Sequence, residues 1–332
     1  MNNNRKKPSW VDQLSNAAAY IFPYLPPAEL SAVSSTCKTL HLVAKSITAA
    51  RSSDASRNHE KLPIPFINSG VDNHPYAYFI YTPTQIISFT NDPPRRPWGL
   101  CVDGRFDPDP ILPPTVKDGC RCECETESER SDGDLIRCPC SRPKLPGLIW
   151  ECGSGCKCRS GCRNRVSQTG VSVRLKIVRS VRKGWGLHAD QFIKDGEFIC
   201  EYAGQLLTTK EARRRQLIYD KLASSGKRAS ALLVVREHLP SGKACMRINI
   251  DATRIGNVAR FINHSCDGGN LSTVLVRSSG VLLPRVCFFA SRDILKDEEL
   301  TFSYGDAGLN PTASKCVCGS SCCSGIMPSE HT

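Results

Sequence analysis

The sequence predicts a mainly β fold with short helices, braced by two clusters of metal-binding cysteines, and three observations carry that reading. Beyond residue 170, short runs of alternating apolar and polar residues are separated by Gly, Asp and charged turns, as half-buried strands require. Residues 9–59 instead place apolar residues at three- and four-residue steps with no Gly among them, the spacing of amphipathic helices. Of the 19 cysteines, nine fall between Cys120 and Cys162 and four between Cys316 and Cys323. In a chain whose thiols stay reduced, that clustering means zinc and not disulfides.

Composition sets the outer limits. The 332 residues are 40% hydrophobic and 7% aromatic, which is enough to bury a core in one large or two modest domains. No stretch approaches the ~20 apolar residues of a membrane span, and MNNNRKKPSW lacks the apolar core of a secretion signal. The expectation is therefore no membrane partner and no export. The net charge of +12 fits non-specific contact with DNA.

Residues 1–60 are expected to form a helical N-terminal segment of two or three short helices, with Leu25, Leu30, Val33, Cys37, Leu40 and Val43 on their apolar faces. Residues 61–117, dense in Pro, Asn and Asp, read as a connector with one or two strands, YAYFIYT being the best candidate. Residues 118–170 hold the first cysteine block: Cys120, Cys122, Cys124, Cys138, Cys140, Cys152, Cys156, Cys158 and Cys162. Tetrahedral zinc takes four thiolates, so nine serve two ions with one left over, or three ions if three sulfurs bridge. Arg121, Lys157, Arg159, Arg163 and Arg165 would balance the surplus negative charge. Such a cluster is closed and structural.

From residue 171 the strand candidates run VSVRLKIV, EFICEYA, MRINID, STVLV, RVCFFA and ELTFSY. Thr208, followed three residues later by Glu211, forms a capping box that opens the basic helix KEARRRQ. Cys316, Cys318 and Cys323 offer three thiolates near the end of the chain. Zinc wants a fourth, and Cys266 is the candidate; Cys322 remains open as an alternative to its neighbour.

Three segments carry chemistry in order: KGWGLHADQFIKDGEFICEYAG, RINIDATRIGNVARFINHSC and DEELTFSYG. Together with ECGSGCKCRSGCRNRVSQ before them and CVCGSSCC after, they resemble the SET-domain histone-lysine N-methyltransferases. The plant suppressor-of-variegation-related class is nearest. The resemblance covers about residues 118–328 and implies a SET-domain fold of small curved sheets with a pseudoknot. It divides the chain into a pre-SET zinc cluster (118–170), a SET catalytic domain (171–305) and a post-SET zinc segment (312–328). It implies three Zn2+ in the first cluster and one in the last.

The resemblance also implies roles residue by residue. Lys183, Gly184, Trp185, Arg260, Phe261, Asn263, His264 and Tyr304 would bind S-adenosyl-L-methionine. Tyr304 and Tyr202 would be the catalytic and channel tyrosines, and Phe302 would tune how many methyl groups are added. The implied partners are the histone H3 tail or nucleosome, and the implied place is nuclear chromatin. Its implied target is the ninth-residue lysine of H3, methylated in chromatin silencing. The competing readings are a catalytically weak or inactive SET scaffold, a methyltransferase for a non-histone protein, and a DNA-binding zinc protein. The cysteine spacing argues against the last, since it lacks the Cys/His pattern that presents a recognition helix. The stretch YIFPYLPPAELSAVSSTCKTLHLVA resembles the latter half of an F-box, implying a protein partner for the N-terminal helices. The alternative is a helical pair packed on the main domain.

Four departures from the family pattern stand out. Ser303 precedes Tyr304 where an acidic residue is usual, Gln205 follows EYAG where Glu is common, and DGGN follows NHSC. The segment from Tyr219 to Met246 matches no pattern, so the roles there are unassigned.

Overall fold

The computed structural model describes residues 10–87, 148–153, 156, 158, 162, 164–224, 230–238, 245–279, 281, 283–305 and 315–328. Three helices open the chain: α1 (Trp10–Ile21), α2 (Pro27–Ser34) and α3 (Lys38–Ser53). Short strands follow at Phe66–Ile67 (β1), Ile80–Tyr81 (β2), Ile86–Ile87 (β3) and Leu148–Glu151 (β4). The next group is Leu175–Ser180 (β5), Gly184–Ala189 (β6), Phe198–Glu201 (β7) and Gly204–Leu207 (β8), then the helix Thr209–Ser224 (α4). The last group is Leu232–His238 (β9), Cys245–Gly256 (β10), Asn263–His264 (β11), Leu271–Ser278 (β12), Arg285–Ala290 (β13) and Thr301–Phe302 (β14).

These strands make small sheets in the orders β1-β5-β6, β2-β10-β8-β3 with β9 also on β10, β4-β12-β13-β7, and β11-β14. One apolar core joins them. Ile177, Leu187, Ile199, Ile250, Ile262, Phe288 and Leu300 are all at 0–1% exposure within it. The expected strands all appear, with three differences in extent, the first being that YAYFIYT is a strand over only Ile80–Tyr81. Val171 and Val173 are buried as the alternation predicts, but the ladder starts only at Leu175. ELTFSY pairs over just Thr301–Phe302 because Tyr304 turns away to cap another segment. Thr208 does open α4, its Oγ1 accepting the Glu211 N–H at 3.2 Å.

The described part of the connector is more than a linker. β1 pairs in parallel with β5, β2 with β10 and β3 with β8, and Ile64, Phe66, Phe79 and Tyr81 lie inside the main core. Sequence pattern marks YAYFIYT as a strand candidate here but not the pairings, since two-residue strands carry no period. The N-terminal helices bury their own small cluster, Ala18, Phe22, Leu30 and Ala44. They are tied to the body through Arg51, which is 4% exposed. Its guanidinium donates to the Pro23 and Leu25 carbonyls at 2.9 and 2.7 Å and to Tyr76 Oη at 3.0 Å.

Behind β7 two buried carboxylates share one arginine. Arg285 donates to Glu151 at 3.0 Å and lies 3.5 Å from Glu201. Burial, reinforced by Glu151 and only partly offset by Arg285, pushes Glu201 up to about 7 from the usual 4.5. The folded chain therefore holds a proton that the unfolded chain releases. Its contribution to stability is intact below about pH 4.5 and is lost as the pH rises towards 7, by about 3 kcal/mol in all. Urea unfolding should accordingly show the wild type losing stability between pH 5.5 and 8, and Glu201→Gln losing much less. Identical pH profiles for the two proteins would refute this assignment.

Candidate active site

The site forms where β11 and β14 lie side by side in parallel, Asn263 opposite Thr301 and His264 opposite Phe302. Segments some forty residues apart are thus locked together, as the sequence resemblance implied. Ser265 N–H donates to the Phe302 carbonyl at 3.0 Å. Asn270, 2% exposed, holds the other end by donating its N–H to the Thr301 carbonyl and accepting the Thr301 N–H at 2.9 Å. Gly269 has a φ of +75°, and a Cβ there would sit 2.2 Å from the Thr301 oxygen. The unusual DGGN run therefore supplies what this junction needs.

Lys183 and Asn263 converge on one carboxylate. Lys183 Nζ is 2.7 Å from Glu299 Oε2, and Asn263 Nδ2 donates to Glu299 Oε1 at 2.8 Å and to the Trp185 carbonyl at 3.3 Å. Gly186 lies against both: a Cβ there would come within 2.8 Å of Glu299 and 3.1 Å of Asn263. Glu299 stands in the ELTFSY run, yet its role was not legible, because a carboxylate before a strand usually reads as a solvated turn. Gly184 takes the left-handed conformation at the start of β6, and Trp185 packs edge-on against Phe66 at 5.1 Å. Phe261 sits in the same aromatic group, 5.7 Å from Phe66 and 5.5 Å from Phe79. Arg260 stacks over Phe79 and Phe261 and donates to the Ala252 and Thr253 carbonyls. The side chains of Arg260 and Phe261 thus brace the site wall.

Both tyrosines are brought to the site, and both spend their proton on a main-chain carbonyl. Tyr304 Oη donates to Ile262 at 2.6 Å and Tyr202 Oη to Ala231 at 2.8 Å. Each phenol has one proton, so what remains to offer is lone pairs. Desolvation at the hydroxyl, and then Glu299 for Tyr304 and Tyr304 for Tyr202, raises both above the ordinary phenol value and keeps them neutral, although the Tyr304 residue as a whole is 42% exposed and Tyr202 5%. Phe302, 4% exposed, is wedged 4.7 Å from Phe288 and 4.9 Å from Tyr304.

His264 links Tyr304 to sulfur. Its Nδ1 accepts the Tyr304 N–H at 3.1 Å, so the ring proton belongs on Nε2, which faces Cys266 Sγ at 3.2 Å. Burial lowers its pKa and keeps the ring neutral. The Sγ atoms of Cys266, Cys316, Cys318 and Cys323 all lie within 4.8 Å of one another, and Cys266 is 3.8 Å from Cys316. A tetrahedron with Zn–S bonds of about 2.3 Å has S···S edges of about 3.8 Å, so four thiolates here fit zinc. Burial opposes ionisation of Cys318, but the Ser320 and Cys266 N–H groups outweigh it and bring the thiol down to about 5. Cys322 is exposed and lies outside this group.

At the first cluster, Cys152, Cys158 and Cys162 come together with Cys152 and Cys162 3.9 Å apart, and Cys156 is buried nearby. Arg165 donates to Cys158 Sγ at 3.4 Å. Cys120, Cys122, Cys124, Cys138 and Cys140 lie outside the described residues.

The segment left unassigned by pattern supplies two supports, Tyr219 and Ala231. Tyr219 Oη and Arg215 both reach Asp251 Oδ2 at 2.7 Å, and Asp251 is 1% exposed. Asp251 Oδ1 accepts the Thr253 N–H, and Thr253 Oγ1 accepts the Ala231 N–H, so Ala231, which receives the Tyr202 proton just before β9, is tied through β10 to α4. Gln205 accepts from Arg215 at 2.7 Å, a role amide and carboxylate fill equally. Ser303 is exposed and only closes the Gly305 turn.

The SET domain family model matches residues 184–305. The histone-lysine N-methyltransferase SUVR3 of Arabidopsis thaliana is 57% identical over 342 residues, spanning 97% of this chain and 93% of that protein. The chain belongs to the SET-domain histone-lysine N-methyltransferase family. Its fold is the SET fold of that family. The methyltransferase domain of human SETMAR superposes with a TM-score of 0.61 at 28% identity, covering 83% of this chain and 97% of that one. KRYPTONITE, in complex with mCHH DNA, an H3(1-15) peptide and SAH, gives a TM-score of 0.57 at 26% identity, over 83% of this chain and 53% of its own.

Proposed function

We propose that this chain is an S-adenosylmethionine-dependent methyltransferase for the ninth-residue lysine of the histone H3 tail, acting on nuclear chromatin in silencing. The observation that carries the reading is the pair of neutral phenols, Tyr304 and Tyr202, each with its proton committed to a carbonyl. Two acceptor oxygens suit a lysine amine, whose N–H groups need acceptors. Bound S-adenosylmethionine supplies an electrophilic methyl group on a sulfonium, and this chain's contribution is orientation. Lys183, Gly184, Trp185, Asn263 and His264 form the cofactor wall, with Arg260 and Phe261 behind it. Burial of the channel and the cofactor's positive charge both favour the neutral amine, so no dedicated base is required. Nine cysteines from Cys120 to Cys162 hold three Zn2+, and Cys266, Cys316, Cys318 and Cys323 hold one. KRYPTONITE's complex with an H3 peptide supports the choice of substrate.

The test is mass spectrometry of H3(1–15) peptides incubated with zinc-loaded protein. Methylation confined to the ninth lysine, and absent when that lysine is replaced by arginine, supports the assignment; methylation elsewhere overturns it. Phe302 adds a second expectation. A phenylalanine beside Tyr304 leaves room near the amine, so di- and trimethylated products should accumulate. Phe302→Tyr would place a hydroxyl there and should shift the product towards monomethyl-lysine. An unchanged product distribution would show that this position does not set multiplicity.

A further inference from the structure

Helix α4 faces the sheet with Ala212, which is 1% exposed. Lys210, Arg214, Leu217 and Lys221 recur at four-, three- and four-residue steps, so they form one exposed stripe on the side opposite Ala212, flanked by exposed Arg213. Ion pairs on this helix go from Arg214 and Arg215 to Glu211 and from Arg215 to Asp251. Lys210, Arg213 and Lys221 thus face solvent with no carboxylate partner among the described residues, and Asp220 at the edge is engaged by Gln216. Leu217 interrupts the cations within the stripe, and Ile218 and Leu222, also exposed at 42 and 40%, lie beside it at about a quarter turn. The stripe runs about 16 Å. Arg215 and Tyr219, both clamped on Asp251, fix it to the strand that flanks the lysine channel.

The substrate proposed above is itself cationic, so an exposed row of cations beside the channel works against binding the tail. It requires a polyanion. We propose that this stripe docks on the phosphate backbone of duplex DNA, the DNA of the nucleosome whose H3 tail enters the channel. The three cations without a carboxylate partner, Lys210, Arg213 and Lys221, with Arg214 already paired to Glu211, complement backbone phosphates, and an acidic amphipathic peptide seated on Leu217, Ile218 and Leu222 is the outcome the test must separate from this one. The contact is sequence-independent, since backbone phosphates position without specifying. The biological setting, though not the DNA contact, rests on the methyltransferase reading.

The test uses the full zinc-loaded chain and a Lys210→Gln/Arg213→Gln/Lys221→Gln variant, glutamine being a good helix former. Binding to a random-sequence duplex is measured across salt concentrations, and methylation is measured on H3 peptide and on nucleosomes. Each phosphate contact contributes about 0.9 to the salt slope, so the variant should lose between two and three, with duplex affinity down about tenfold or more. Peptide methylation should stay at the wild-type rate while KM for nucleosomes rises. Unchanged duplex affinity and salt slope would overturn the proposal. Weaker nucleosome binding with intact duplex binding would also overturn it, by assigning the stripe to an acidic histone surface. The duplex measurement needs no activity, so an inactive enzyme would refute the function proposed above without touching this result.

Discussion

Tyr304→Phe is expected to lower methyl transfer by roughly 10²-fold or more, the scale of losing one fixed polar group at a reaction centre. The ring contacts with His264 at 5.3 Å and Phe302 at 4.9 Å survive the change, as does the N–H bond to His264. Only the hydroxyl goes. Its proton is committed to the Ile262 carbonyl, so what the channel loses is an acceptor held in place by a 2.6 Å bond. The loss should fall on kcat, because a misaligned amine still binds but does not meet the methyl group in line. The thermal midpoint should barely move. Single-turnover kinetics with matched circular dichroism spectra check this: a fall in kcat under threefold in a folded variant would remove Tyr304 from the reaction centre.

Cys318→Ser is expected to cost at least as much, and through a different route. Cys318 is prepared to ionise by the N–H groups that outweigh its burial. Removing its thiolate leaves three sulfurs for an ion that wants four. Cys266 is then released, and with it the sulfur that fixes the His264 ring, whose other nitrogen holds the Tyr304 main chain. Lost outer contacts at metal sites typically cost about 10–100-fold, and here a ligand is lost as well. Zinc analysis should show one ion fewer per chain, with methyl transfer abolished and SET-core unfolding little changed. Full zinc content with normal activity in this variant would contradict the ligand assignment.

Much of this was legible from the sequence because chemistry-bearing residues were clustered in short motifs. The strands from EFICEYA to RVCFFA were legible as short apolar runs bounded by turn residues, and several are buried on both faces, as Phe198–Glu201 is throughout. The C-x-C spacings show their purpose before any fold is known. What stayed hidden depends on distance along the chain. Glu299 meets Lys183 across 116 residues and Asp251 meets Arg215 across 36, and a lone carboxylate carries no local sign of such a partner. Phe66 escaped for another reason: it sits on a two-residue strand in Pro-rich sequence, where neither period nor propensity separates a core aromatic from a loop one, whereas Phe79 stands in YAYFIYT, which the sequence marks as a strand candidate. Glu201 and Glu151 likewise read as ordinary charged positions, and only packing reveals that one arginine serves both.

The most direct test of the central claim is intact mass spectrometry of recombinant histone H3 after incubation with zinc-loaded protein and an isotope-labelled S-adenosylmethionine methyl group. The account predicts labelled methyl increments on a lysine of the N-terminal tail with wild-type protein, and none above background with Tyr304→Phe. Unlabelled H3 from wild-type protein that demonstrably binds the cofactor and carries its zinc would contradict it.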